Sequence, residues 1–252
     1  GRHAGAQREV LVAEVIELTE RSDVDDLFSS LTSGAEPLAV AAGWAGEPGR
    51  SALSGLAVVV DASMGAVQWI PAGLLDVTGD TFDAILADGS TLVCHDAKAL
   101  MRHLLGAGRP LPRLHGDVKI AAYLLDPADT RHSVAELLDR YTGYELAEGG
   151  SVSSGQLDFD GTSESESAAP AREALGVAFV VGPITDALEA QGLSVLAHEI
   201  EYPLIAALAR MEHLGIGVDR VELERLNEHL VAEVERLRAL IIADAGGEEF
   251  NV

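Results

Sequence analysis

A two-metal nuclease needs several carboxylates within a few ångströms of one another, because they must neutralise two divalent cations and orient the attacking water. Carboxylates are abundant in this sequence, so spacing is what matters. Asp61 follows an apolar run and could serve as a first ligand, yet Ala62, Ser63 and Met64 supply no second carboxylate at the i+2 position. It reads as a strand-end turn residue, and Asp83 and Asp117 stand as further candidates at a distance. His95 and Asp96 follow another strand-like run, a place where α/β folds put function; a helix cap at Asp96 and a part-buried His95 are the plainer reading. His198 beside Glu199 and Glu201, and His132 near Asp129, each offer one imidazole among surface carboxylates, too few donors for a metal. Gly43, Gly46 and Gly49 surround Glu47 and Pro48 without the lysine of a phosphate-binding loop, and read as turn glycines. Neither His-Glu-x-x-His nor Gly-x-Ser-x-Gly occurs. No convincing active site emerges from these residues alone.

The frame that would position them is bounded by composition. With 252 residues, 48% of them apolar, the chain can build one good core and a helical appendage, or two small domains. Seventeen basic against forty-one acidic residues give a net charge of -24. That charge repels a phosphate backbone, so weak or undetectable binding of DNA by the chain itself is expected. No apolar run approaches the roughly 20 residues of a membrane span. The opening lacks the pattern of a signal peptide, and a single cysteine, Cys94, excludes an internal disulfide. A reducing cytoplasmic location is expected, with no membrane partner.

Residues Gly1 to Gln7 read as a tag remnant or linker, and Val10 to Leu18 as a short helix or an edge strand. Ser22 and Asp25 mark a helix carrying Val24, Phe28 and Leu31. Leu38 to Trp44, Leu56 to Asp61 and Ala66 to Ile70 read as strands of a meander. Leu92 to His95 is another strand, followed by a helix over Ala97 to Leu105 with Asp96 as its cap. Asp117 caps the next helix, and Ser133 with Glu136 forms a capping box for a third. Ala147 to Ala169 is poor in apolar residues and predicts a mobile loop. Helical pattern resumes near Pro170, is blurred by Gly182 and Pro183, and leads to a boundary near Leu193 to Ala197. Leu204, Leu208, Met211 and Leu214 line one helix. After a turn capped by Asp219 and Glu222, the residues Leu223, Leu226, Leu230, Val234, Leu237 and Ile241 line a longer one that Gly246 and Gly247 close.

The last segment carries a resemblance. Glu201-Tyr-Pro-Leu204, Leu208-Ala-Arg-Met-Glu212, Leu214-Gly-Ile-Gly-Val-Asp219 and Ala245-Gly-Gly-Glu-Glu-Phe-Asn251 resemble the start of the polymerase region of bacterial DNA polymerase I, family A. Upstream, Asp117, Tyr123, Leu124 and Leu125, together with Arg131-His132-Ser133 and Leu137, resemble helices of that family's 3′-to-5′ proofreading exonuclease. The resemblance implies an α/β, ribonuclease H-like exonuclease fold, a mixed sheet flanked by helices, followed by a helical segment leading to the thumb. It divides the chain into a lead-in (1–30), an exonuclease-like domain (31–195) and the helical start of the polymerase region (196–252).

Active members of the family close their first strand with Asp-x-Glu and add an aspartate from a second motif and a Tyr-x-x-x-Asp from a third. Here Ala41 and Gly43 stand at the first, Leu100 at the second behind Lys98, and Val177 and Val181 at the third. The resemblance therefore implies a catalytically inactive proofreading domain with no metal or cofactor of its own, a structural part of a DNA-directed DNA polymerase used in replication and repair. Magnesium is expected in the palm, beyond Val252. The remainder of the same chain is the expected partner, with DNA bound through the full-length, nucleoid-associated protein. Residual metal-dependent exonuclease activity through Asp61, Asp83 or Asp117, and a docking role for a repair partner, remain the alternatives.

Overall fold

The computed structural model describes residues 8–31, 37–87, 91–147 and 165–244. It divides into two compact units, Gly1–His213 and Leu214–Val252. The segments Gly1 to Gln7 and Ala245 to Asn251, and all but the ends of the loop expected over Ala147 to Ala169, lie outside the described residues.

The first unit is an α/β fold on a six-stranded mixed sheet. Its elements run β1 (Glu9–Leu11), β2 (Glu14–Glu17), α1 (Arg21–Leu31), β3 (Leu38–Trp44), β4 (Leu53–Asp61), β5 (Ala66–Pro71), α2 (Ala72–Val77) and α3 (Gly79–Ala87). They continue with β6 (Thr91–Cys94), α4 (Ala97–Gly106), β7 (Arg113–Asp117), α5 (Val118–Leu125), α6 (Val134–Tyr141), β8 (Tyr144–Leu146) and α7 (Ala168–Ala190). A short turn of helix, α8 (Ser194–Leu196), and a π-helical turn over Ala197–Glu201 lead into α9 (Tyr202–Leu214). The sheet order is β2-β5-β4-β3-β6-β7. Strands β3, β4 and β5 form the expected antiparallel meander, while β2 on one side and β6 and β7 on the other join in parallel. A separate parallel pair joins β1 to β8.

Alternation along the strands sets the layers. Helix α7 packs across β3, β4, β5 and β6, with α5 and α6 against it. On the other face Leu56 of β4 meets Leu75 of α2, Phe82 of α3 and Leu104 of α4 around a small cavity. Pro183 lies within α7 without ending it. Its missing hydrogen bond costs about 3 kcal/mol, and burial of Val180, Ile184 and Leu188 on either side offsets it. Helix α7 closes at Gly192, whose positive φ lets the Leu193 amide donate back to the Leu188 carbonyl at 2.8 Å.

Several expectations change. Residues assigned to a lead-in are folded into the domain: β2 is an edge strand paired with β5, and Val24, Leu27 and Phe28 of α1 are buried in the common core. The first unit extends through His213, past the boundary placed near Leu193 to Ala197, because Tyr202, Ile205 and Ala209 bury against it. Helix α1 starts at Arg21, and it is Asp23 rather than Ser22 that closes its first turn, accepting from the Glu20 amide at 3.1 Å. The capping box of α6 is present as read, with Ser133 and Glu136 bonded reciprocally.

The second unit is described by α10 (Arg220–Asp244). Asp219 caps it by accepting from the Glu222 amide at 3.0 Å. Its stripe from Leu223 to Ile241 is exposed along its length. Among the described residues no helix is long and apolar enough to cross a membrane.

Candidate functional site

Strand β6 pairs with β3 only at Leu38 and Ala39. The rest of β3, from Val40 to Trp44, therefore has an open edge beyond the carboxyl end of β6. A sheet that changes from antiparallel to parallel at this strand leaves a crevice there, the usual place for function in α/β folds. A cavity of about 250 Å³ fills the crevice. Its walls include Ala41 and Trp44 from β3, Cys94 at the end of β6, His95 and Asp96 after it, Ala97 and Leu100 from α4, and Glu173 from α7.

The structure brings two of the sequence-derived positions, Ala41 and Leu100, to this cavity. Gly43, Val177 and Val181 do not line it. Val177 is fully buried in the core, Val181 packs against it, and the space beside Gly43 is filled by Trp69 and Pro170. The carboxylate that α7 presents is Glu173, which the sequence reading passed over. It lies four residues before Val177 and so on the same helical face, and about two turns before Val181, the position matched to the third motif's aspartate.

His95 organises the mouth of the cavity. Its Nε2 lies 2.6 Å from the His132 carbonyl and its Nδ1 lies 3.5 Å from Glu173 Oε1. Burial alone lowers its pKa, but the Glu173 hydrogen bond, the His132 carbonyl and the charges of Glu173 and Asp117 outweigh that and raise it above 6.5. A raised imidazole stabilises the fold fully below pH 6.5, and that contribution disappears as pH rises through the folded-state value. Urea midpoints should thus fall as pH rises from 6.5, and His95→Gln should flatten the profile. An equally steep profile in the variant would refute the pairing. Cys94 beneath it is buried, which pushes its thiol well up and keeps it protonated.

Asp96 does not cap α4. It takes a left-handed conformation, φ 59°, with no capping bond, and its carboxylate meets Lys119 Nζ at 2.5 Å. The cap is Asp117, whose Oδ2 accepts from the Ala97 amide at 2.7 Å while Oδ1 accepts from the amides of Asp96, Lys119 and Ile120 at 3.0–3.3 Å. One buried carboxylate thereby closes two helices, α4 and α5. Burial raises its pKa, against the amides of Ala97, Ile120 and Asp96 and the charge of His95, which lower it. Four amides converge on Asp117, three on Oδ1 and one on Oδ2, which accounts for this carboxylate as a helix cap. Asp61 holds its own turn through Ser63 Oγ at 2.7 Å, and Asp83 pairs with Arg109 at 3.1 Å. His198 bonds the Ser194 carbonyl. Among the described residues no group of three or more His, Cys, Asp or Glu is placed to hold a metal ion.

The chain is 29% identical to DNA polymerase I of Geobacillus stearothermophilus over 138 residues, 54% of this chain and 16% of the relative. It is 32% identical to DNA polymerase I of Rhizobium leguminosarum over 148 residues, 56% of this chain and 14% of the relative. Over about half its length the chain is homologous to bacterial DNA polymerase I. The matched stretch spans less than a fifth of either relative. No family model matches the chain. Among solved structures, the POL domain of Pol1 from M. smegmatis, in complex with DNA primer-template and dNTP, superposes with a TM-score of 0.72 at 22% identity, over 94% of this chain and 38% of that one. The fold is accordingly similar to that of a DNA polymerase I structure.

Proposed function

We propose that this chain is the 3′-to-5′ exonuclease-like domain of a DNA polymerase I together with the opening helices of its polymerase region, and that the exonuclease chemistry is lost. The single observation that carries the reading is the cavity at the open edge of β3: Ala41 and Leu100 face it, and Glu173, its carboxylate on α7, is spent on His95. An antiparallel meander extended by the parallel strands β6 and β7 supports a ribonuclease H-like assignment. A proofreading site works by holding two cations that activate water. Ala41, Gly43 and Leu100 offer no oxygen to either, and an apolar wall is the economical replacement, since a buried carboxylate without its cation is costly. The domain then serves as a structural part of the polymerase. DNA contact, the magnesium ions of synthesis and the role in replication and repair belong to the whole enzyme.

The test is digestion of a 5′-labelled single-stranded oligonucleotide with magnesium or manganese. The expected result is no 3′ trimming above a chelator control. Metal-dependent trimming abolished by changing Glu173, Asp61, Asp83 or Asp117 would overturn the proposal in favour of a displaced nuclease centre.

A further inference from the structure

Helix α9 is anchored unevenly. Tyr202, Ile205 and Ala209 are buried on successive turns, whereas Met211 and Leu214 are 67% and 86% exposed. Its last turn buries no large apolar side chain among the described residues. Among the described residues, what ties that turn to the fold is the Glu212 carboxylate, whose Oε1 accepts from Lys98 Nζ at 2.6 Å and whose Oε2 accepts from Arg102 Nη1 at 3.3 Å. Lys98 and Arg102 are four residues apart and share one face of α4, the helix whose Leu100 lines the cavity. The hydrogen bond from Lys98 comes first among the causes that hold the Glu212 carboxyl below its ordinary range, with the charges of Lys98 and Arg102 adding to it.

We infer that α4 acts as a strut, with the Lys98 and Arg102 fork on Glu212 fixing the end of α9. A single exposed ion pair is worth little. Here the second bridge forms on a carboxylate already held by the first, so little further side-chain freedom is lost. Each cation also takes a different oxygen, which sets the rotation of the carboxylate and the position of the helix end. The structural purpose of the strut rests on the scaffold role proposed above; the contact itself does not. Glu212 is a positioning residue in this scheme, acting on residues 210–214 through α4.

Hydrogen exchange on the whole 252-residue chain tests this. In Glu212→Gln the amides of residues 210–214 should exchange roughly fivefold faster, with β3 to β5 unchanged. Lys98→Ala with Arg102→Ala should match it, and the reversed triple variant Glu212→Lys, Lys98→Glu, Arg102→Glu should recover toward the parent rate. Added salt should accelerate exchange in the parent chain and leave Glu212→Gln unmoved. Unchanged exchange at 210–214 in Glu212→Gln would overturn the inference, as would failure of the reversed variant to recover. Nuclease activity in the digestion assay would overturn the scaffold reading while leaving these exchange rates as they are, so the two failures are distinguishable.

Discussion

Replacing Asp117 by alanine should destabilise the chain by about 4 kcal/mol, because four backbone amides at two helix starts lose their acceptor together. Loss of an ordinary cap costs about 1 kcal/mol. This one is buried to 1% exposure, so water cannot step in for the missing oxygen. Asp117→Asn separates charge from hydrogen bonding. It removes the charge whose burial raises the carboxyl pKa, and its one oxygen can still serve Lys119 and Ile120, but its NH₂ then faces the Ala97 amide donor to donor. The expected loss is intermediate, about 2 kcal/mol. Urea unfolding of both variants at neutral pH checks the order. A loss under about 1 kcal/mol in Asp117→Ala would show that the shared cap does not hold α4 and α5, and would reopen Asp117 as a metal-binding candidate.

The same residue shows what could be read from the sequence. Asp117 as the cap of α5 was legible because the amides that donate to it lie two and three residues away, as was the Ser133 and Glu136 box. Its hold on α4 was not, because Ala97 is twenty residues distant and arrives only through the parallel register of β6 on β7. Asp96, next to the helix, looked like the local answer and is drawn away by Lys119. The meander of β3, β4 and β5 was legible from short apolar runs between turn residues. Helices α2 and α3 were not: they are short and meet at the buried Thr78 next to Gly79, a residue that reads as a break. Of the candidate site, Ala41 and Leu100 were found by resemblance. The crevice follows from β6 pairing with only the start of β3, a fact of topology with no local signature. Glu173 was missed because the carboxylate of the third motif was matched to Val181, about two helical turns further along α7. The stripe on α10 was legible by periodicity, which says nothing of what covers it.

Placing carboxylates at the positions the proposed exonuclease-like site assigns to them should fail first at Gly43, and for a reason of space. Gly43 and Gly55 are cross-strand partners on β3 and β4, and the buried indole of Trp69 lies over both. A β-carbon at Gly43 would stand 2.6 Å from Trp69 Cη2 and Ser54 Oγ and 3.1 Å from Pro170 of α7. Ser54 can rotate aside; the indole is rigid, 3% exposed and packed as closely over Gly55, where an added β-carbon would stand 2.4 Å from Trp69 Cζ2. Gly43→Ala should therefore cost about 2 kcal/mol as overpacking. Gly43→Glu adds a buried charge with no cation beside it and should cost more than about 4 kcal/mol. Ala41→Asp borders the cavity and should be tolerated better than Gly43→Glu. Trp69→Phe, which shortens the ring, should relieve Gly43→Ala while destabilising the parent chain, a coupling that a double-mutant cycle measures directly. If Gly43→Glu instead folds with parental stability, the indole is mobile and the cleft is open to carboxylates after all. In that case the triple variant Ala41→Asp, Gly43→Glu, Leu100→Asp becomes the direct test of whether these positions can support metal-dependent nuclease activity. With the indole fixed, the triple variant should lose the fold before it gains chemistry.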